Sequence, residues 1–228
     1  MVVLGMLDRP TYLYAEVDRL IGLPGGTSRR WINGYRRGGK FYAPILRKEP
    51  SESEWATWGE FVETRILAEF RSERVPTARL RAAVEKLRQD YGEYPLAHLR
   101  PYLDADARRL MIADGDGDDR DWRDLVTGQR ILGAGAELMR EHARLEVDPT
   151  GQEFASELQL DPDFPQIWTH PDRMSGQPTI GQRRIAAATV AGMVEAGEPE
   201  ESIAELYEIS IDSVREAVGY AHKYRLAA

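Results

Sequence analysis

The stretch Glu16-Val-Asp-Arg-Leu-Ile-Gly-Leu-Pro-Gly-Gly-Thr-Ser-Arg-Arg-Trp31 decides the fold of the N-terminal part of the chain. Apolar residues recur at helical spacing over 11–22, which predicts a first helix that stops at a glycine. Residues 23–26 have the composition of a turn, and Thr27 or Ser28 suits the N-cap of a second helix. The stretch therefore predicts two helices joined by a tight turn, a unit that presents its second helix to the major groove of DNA.

The basic residues of the chain are concentrated around this stretch. Residues 9–48 contain nine Lys or Arg and two Asp or Glu, whereas the whole chain of 228 residues has a net charge of −8. Residues 33–42 combine glycines, basic residues and aromatic residues, which predicts a hairpin wing. Because the attraction of phosphates depends on local potential and not on total charge, the basic segment is a candidate anion-binding surface.

The middle of the chain is less regular. Apolar residues at helical spacing predict two helices over 55–70 and 80–91, and short strands are expected over 109–113 and 124–127. Residues 146–168 are polar, contain prolines and show no period, so we expect a linker or extended arm there.

The C-terminal pattern predicts three consecutive helices, over 187–196, over 199–207 and from Ser210 onward. The complete chain is therefore expected to be mainly α, with an N-terminal winged helix-turn-helix, a short β-containing middle region and a C-terminal three-helix domain of helix-turn-helix proportions. The predicted boundaries are 1–95 for the winged domain, 96–145 for the middle segment, 146–168 for the arm and 169–228 for the C-terminal domain.

The first segment resembles the opening of MerR-like winged helix-turn-helix domains, in which Glu-Val-x-x-Leu-x-Gly-Val/Leu precedes Thr, Arg and Trp at the same spacing. The resemblance covers about residues 11–45. It implies that the second helix reads the major groove and that the wing contacts phosphates. The DNA-contacting residues that it implies are Thr27, Ser28, Arg29, Arg30 and Asn33 on the helix and Arg36, Arg37 and Lys40 on the wing. The alternative is a solvated basic face that binds no nucleic acid.

A second resemblance concerns His170-Pro-Asp-Arg-Met-Ser-Gly-Gln-Pro-Thr-Ile-Gly-Gln-Arg-Arg-Ile185. This segment, and the helices up to about residue 222, are similar to domain of unknown function 433, in which Gly-Thr is usual at Gln182–Arg183. The domain occurs in antitoxins of the VapB type, so the resemblance implies a PIN-like ribonuclease toxin as partner and repression of the shared operon.

The charge of the C-terminal unit favours protein contacts over DNA contacts there. Residues 170–228 contain six Lys or Arg against nine Asp or Glu, so this unit gains little from releasing the counterions of DNA. Acidic residues of the second helix, Glu200, Glu201 and Glu205, are candidates for contact with a basic nuclease. A lesser option is DNA contact by Arg183, Arg184, Ser213 and Arg215.

Several function classes are disfavoured by composition. The chain has no cysteine, which removes thiol nucleophiles and Cys-based metal sites, and the four histidines show no metal-binding spacing. The acidic run Asp114–Asp118 begins like a calcium loop but has Asp119 and Leu125 where that loop needs Gly and Glu. We therefore expect no metal, no cofactor and no catalytic residue. Because the longest apolar run, 186–194, is too short to cross a bilayer, we expect a cytoplasmic protein.

Together, the two resemblances imply an antitoxin that binds double-stranded operator DNA and neutralises a PIN-like ribonuclease. A homodimer would place two recognition helices about one DNA turn apart or a multiple of it, so an inverted-repeat operator is expected. A stand-alone transcriptional regulator and a protein-interaction adaptor remain the alternatives.

Overall fold

The protein is described by a computed structural model. The described residues are 5–72, 74–98, 101–103, 110–114, 121–124, 130–131, 142–148 and 151–226. The predicted turn at Asp114–Asp118 and the predicted strand over 124–127 lie largely outside them.

The described residues form a mixed α/β fold. The helices are α1 Tyr14–Ile21, α2 Thr27–Asn33, α3 Trp58–Ser72, α4 Thr77–Tyr91, α5 Ala187–Glu195, α6 Glu200–Tyr207 and α7 Ile211–Tyr224. The strands are β1 Pro10–Leu13, β2 Tyr35–Arg37, β3 Lys40–Tyr42, β4 Trp55–Thr57, β5 Pro101–Leu103, β6 Leu110–Asp114, β7 Asp121–Asp124, β8 Arg130–Ile131, β9 Ala143–Val147, β10 Glu153–Gln159, β11 Ile167–Thr169 and β12 Thr179–Ile180. Their antiparallel sheets have the orders β1-β4, β2-β3, β5-β6-β7-β8 and β12-β11-β10-β9.

A strand precedes the first helix, whereas the sequence predicts a helix over the whole of 11–22. Residues Thr11, Tyr12 and Leu13 belong to β1, which pairs with β4, and α1 begins only at Tyr14. β-Branched and aromatic side chains favour extended backbone, and the sequence pattern did not reveal the distant pairing partner. The carboxylate of Glu16 then accepts a hydrogen bond from the Leu13 amide and caps the start of α1.

Helices α3 and α4 confirm the two helices predicted from apolar spacing. Trp58 and Phe61 of α3 are fully buried and pack against the ring of Tyr12 in the larger of the two hydrophobic cores. The indole of Trp58 donates to the carbonyl of Ala155 in β10, at 2.8 Å. The N-terminal elements and strands β9 and β10 therefore share one core.

The linker predicted over 146–168 is wrong, because this range contains β10 and parts of β9 and β11. Strand β10 is buried along nearly its whole length despite its polar residues. Its Glu157, 3% exposed, forms ion pairs with Arg144 at 2.9 Å and with Arg173. A buried polar group is tolerated in a sheet when it has such partners. The polar composition of the segment was therefore not evidence for a linker.

The C-terminal helices form a second core, as the sequence predicts. Val190 of α5, Ile203 of α6 and Val214 of α7 are buried together there. The segment before them is fastened to β1, because Thr169 and the carbonyl of Gly176 both hydrogen-bond the hydroxyl of Tyr12. Gly176 has φ +84°, and a Cβ there would lie 2.6 Å from the Thr11 side chain.

The expectation of a mainly α fold is corrected to mixed α/β, since small antiparallel sheets account for much of the chain between α4 and α5. None of the helices in the described ranges is long and apolar enough to cross a membrane.

Candidate nucleic-acid interface

A buried carboxylate sets the angle between α1 and α2. Asp18 of α1 is 4% exposed, and its two oxygens accept from the amides of Gly26 at 2.5 Å and Ser28 at 2.8 Å. These amides belong to the first turn of α2, whose N–H groups have no partner within the helix. The hydroxyl of Ser28 donates to the carbonyl of Tyr14 at 2.8 Å. Side chains of both helices therefore hold the turn between α1 and α2.

The side chains of two predicted DNA-contacting residues form hydrogen bonds within this turn. Ser28 is fully buried against α1, so its side chain does not reach the surface. Thr27 is 8% exposed, donates to the carbonyl of Pro24 at 2.6 Å and accepts from Arg30 at 2.9 Å. Neither residue is the N-cap, which is Gly26. Both hydroxyls stabilise the turn, which corrects their predicted roles.

Asn33, at the end of α2, also has a structural role. Its amide nitrogen donates to the carbonyl of Ser51 and its amide oxygen accepts from the Ser51 amide, both at 2.6 Å. These paired bonds attach the loop before β4 to the end of α2. Because both functional groups of the side chain are occupied, Asn33 is not free for the DNA contact that the resemblance implies.

The predicted hairpin is present as β2 and β3. The strands pair Tyr35 with Tyr42, and the two rings stack with centroids 4.7 Å apart and an interplanar angle of 5°. Gly38 and Gly39 form the two-residue connection with φ of +56° and +78°. Positive φ at both positions is typical of a type I′ turn, which matches the twist of the strands.

Gly34 connects α2 to the hairpin at a position that only glycine fits. Gly34 has φ +74°, and a Cβ there would lie 2.6 Å from the carbonyl oxygen of Tyr42 and 3.1 Å from the ring of Pro44. The hairpin therefore folds back closely against the end of α2.

Exposed cations occupy both α2 and the hairpin. We define the cationic face as the side chains of Arg29, Arg30, Arg36, Arg37 and Lys40, all of which are exposed. Within the described part of the chain, none of the five forms an ion pair with a carboxylate.

The non-ionic contacts of these cations are with hydroxyl and aromatic groups. The guanidinium of Arg36 lies 5.6 Å from the centroid of Phe41, and the ammonium of Lys40 lies 5.4 Å from that of Tyr42. Such contacts orient the side chains without neutralising them. The face therefore retains its positive charge.

Other members of the basic segment are neutralised internally. Arg9 pairs with Asp172, and Arg47 binds both oxygens of Glu60, at 2.5 and 3.0 Å. Burial lowers the pKa of Arg47, but the hydrogen bonds and charges of Glu60 and Tyr14 together outweigh it and leave the pKa raised. Counting charges along the sequence includes these pairs and so overstates the free positive charge.

The C-terminal DNA candidates are mostly engaged within the fold. Ser213 is 4% exposed and bonds the N-cap Ser210, so its predicted DNA contact is corrected. Arg215 pairs with Glu200 at 2.8 Å. Arg183 donates to the carbonyl of Tyr207 at 3.0 Å, whereas Arg184 is exposed.

One of the predicted partner-binding residues is engaged within the fold and two are exposed. Glu200 is occupied by Arg215, whereas Glu201 and Glu205 are exposed on α6. Leu206, which follows Glu205 in sequence, has 64% of its surface exposed. We define the acidic face as Glu201, Glu205 and Leu206. The apolar member, Leu206, was missed by sequence reasoning, although its large side chain among exposed positions of α6 was the available signal.

Among the described residues, no group of three or more His, Cys, Asp or Glu is arranged to hold a metal ion.

Comparison with known proteins identifies the family. The chain is 48% identical over 230 residues to a protein named "Uncharacterized protein Rv2308" from Mycobacterium tuberculosis, covering 100% of this chain and 96% of that protein. The chain belongs to the Rv2308 family. A more distant relative from the same organism, "Putative antitoxin VapB45", is 26% identical over 226 residues and covers 92% of this chain and 93% of its own length.

The C-terminal part matches a family model described as "Protein of unknown function (DUF433)" over residues 167–221. This confirms the resemblance stated from the motif that begins at His170. The fold is also similar to the crystal structure of Rv2018 from M. tuberculosis, with a TM-score of 0.60, 22% identity and coverage of 94% of this chain and 99% of that one. At this identity the likeness concerns the fold alone.

Proposed function

We propose that the protein binds double-stranded DNA through the cationic face and acts as an antitoxin. The observation that carries the DNA-binding part is the exposure of five cations on α2 and the β2–β3 hairpin without carboxylate partners. A surface whose cations are not neutralised attracts the phosphates of DNA. Binding then releases the counterions that were condensed on the DNA.

The helix and the hairpin have different roles in this proposal. In a winged helix-turn-helix, α2 enters the major groove, where Arg29 and Arg30 contact base edges. A bidentate contact of Arg with guanine contributes about 1–3 kcal/mol of discrimination. The hairpin lies along the backbone, where Arg36, Arg37 and Lys40 contact phosphates and set the register. A homodimer that presents two such units recognises an inverted repeat.

The proposed antitoxin role is supported by the relative named putative antitoxin VapB45 and by the match to DUF433. In this proposal the partner is a PIN-like ribonuclease toxin, and the complex represses its own operon. The acidic face suits a basic nuclease, because complementary charge accelerates encounter and the exposed Leu206 supplies an apolar anchor.

A stand-alone transcriptional regulator is the second candidate. The exposed, unpaired cations support it equally, since DNA binding through the cationic face needs no toxin. The two candidates differ in whether a PIN-like protein encoded next to the gene copurifies with the chain.

The test combines copurification with a gel shift on the DNA upstream of the gene. We expect Arg29→Ala and Arg30→Ala to weaken binding of this DNA at least tenfold, because each removes a base contact. Arg184→Ala is the matched control, since Arg184 is an exposed arginine of the C-terminal unit. An equal loss in all three variants would contradict the assignment of the cationic face. DNA binding without any copurifying nuclease would favour the regulator.

A further inference from the structure

A cavity of about 400 Å³ begins where the hairpin ends. It lies between α4 and the segment 43–48 that follows β3. The residues of its lining that matter for its chemistry are Pro44, Lys48, Arg81, Glu85, Arg88 and Gln89. We call this cavity the α4 groove.

Two arginines of the groove are held in fixed positions. Arg81 donates from one nitrogen to the carbonyls of Ala43 and Pro44, at 2.7 and 2.6 Å. Arg88, two helical turns later, donates to the carbonyls of Ile45 and Leu46, at 3.1 and 2.7 Å. Carbonyl acceptors fix a guanidinium without cancelling its charge. The remaining N–H groups of both arginines are therefore oriented in advance, which lowers the entropic cost of binding an anion.

The charge of the groove is positive overall. Lys48 is exposed and forms no ion pair within the described ranges, and Glu85 is the single carboxylate in the lining. Arg47 also lines the cavity, but its charge is compensated by Glu60. Glu63, which acts electrostatically on Arg88, has a pKa raised to about 8 by burial, so it is mostly neutral at pH 7.

The groove adjoins the cationic face. Pro44 forms part of its wall and also packs against Gly34, the joint between α2 and the hairpin. The α4 groove therefore begins next to the joint between α2 and the hairpin.

We propose that the α4 groove binds a phosphate of the DNA backbone beyond the contacts of the hairpin, with Lys48, Arg81 and Arg88 as its ligands. This inference rests on the proposed DNA binding. The ligand is a phosphate, because a compact ammonium acts as a point charge and the N–H groups of a guanidinium match the geometry of phosphate oxygens.

Fluorescence anisotropy with a labelled duplex from the upstream region tests the inference across a series of salt concentrations. Lys48→Gln removes one phosphate ligand without disturbing the hydrogen bonds of Arg81 and Arg88. We expect the slope of log K against log salt to fall by about 0.9 in magnitude and the affinity at 0.1 M salt to fall about eightfold. Glu85→Gln removes the opposing carboxylate, and we expect tighter binding.

Lys86→Gln is the matched control. Lys86 is an exposed lysine on α4 that does not line the groove, and we expect its removal to leave the slope unchanged. Equal effects of Lys48→Gln and Lys86→Gln, or an unchanged affinity in Glu85→Gln, would overturn the inference.

The experiment separates this inference from the proposed function. If Arg36→Gln weakens duplex binding while Lys48→Gln does not, the DNA-binding proposal stands and the groove inference fails. If the wild-type chain binds no duplex at low salt, both fail. If Lys48→Gln weakens binding of inorganic phosphate but not of duplex, the groove takes a free anion and its assignment to DNA is refuted.

Discussion

Replacing Glu63 with Gln changes how the stability of the protein depends on pH. Glu63 of α3 is fully buried. One oxygen of its carboxyl group accepts from the Leu96 amide at 2.8 Å, and the other has no hydrogen-bond partner. Burial raises its pKa from 4.5 to about 8. The folded state therefore retains a proton that the unfolded chain releases well below neutral pH.

The sign and size of the effect follow from this difference. A raised pKa gives stability that is fully present below the unfolded value of 4.5 and is lost as the pH rises through about 8. Each pH unit in this window costs about 1.4 kcal/mol, so Glu63 lowers the free energy of unfolding by roughly 3 kcal/mol at pH 7. Above pH 8 the loss approaches roughly 5 kcal/mol. Glu63→Gln keeps an acceptor for Leu96 and removes the ionisation.

Urea unfolding, followed by tryptophan fluorescence at pH 5.5, 7 and 8.5, measures the effect. The wild type is expected to lose stability relative to Glu63→Gln as the pH rises, with the largest difference at pH 8.5. Glu54→Gln is the control, because Glu54 is exposed. Parallel pH profiles for the wild type and Glu63→Gln would refute the reasoning.

Two further predictions concern the orientation of α2 and the partner surface. Asp18→Ala leaves the amides of Gly26 and Ser28 without their acceptor, and we expect a loss of about 3 kcal/mol in the free energy of unfolding. Urea unfolding measures it, and a loss below about 1 kcal/mol would show that the carboxylate does not hold the turn. Glu201→Lys combined with Glu205→Lys reverses the charge of the acidic face, and we expect at least a tenfold weaker complex with the basic nuclease at unchanged duplex affinity. Copurification and anisotropy measure the two quantities, and an undiminished complex with the proposed nuclease partner would exclude the acidic face as the docking surface.

The helices and the hairpin could be predicted because their signals are local. Apolar spacing identified α3, α4 and the C-terminal helices, and the glycines among basic and aromatic residues over 33–42 identified the hairpin. Strand β1 was missed because its pairing with β4 depends on residues some forty positions away, which no local period records. The β10 strand was missed because its polar residues are compensated by Arg144 and Arg173 from other elements.

The sequence predicted the positive charge of the candidate site but not the orientation of its side chains. Sequence spacing placed Ser28, Asn33 and Arg29 on one helix but did not show which of them faces α1. The burial of Ser28 and the binding of Asn33 to Ser51 arise from tertiary contacts. Arg29 is left on the surface, which is the usual location of an unpaired charged side chain.

The dependence of duplex affinity on salt tests the central claim, that the cationic face binds the DNA backbone, most directly. With Arg36, Arg37 and Lys40 of the hairpin on phosphates, we expect a slope of log K against log salt of about −3 or steeper per bound chain. The double variant Arg36→Gln, Arg37→Gln is expected to reduce the magnitude of that slope by about 2. A wild-type chain that binds no duplex at low salt, or a slope that the double variant leaves unchanged, would contradict the account.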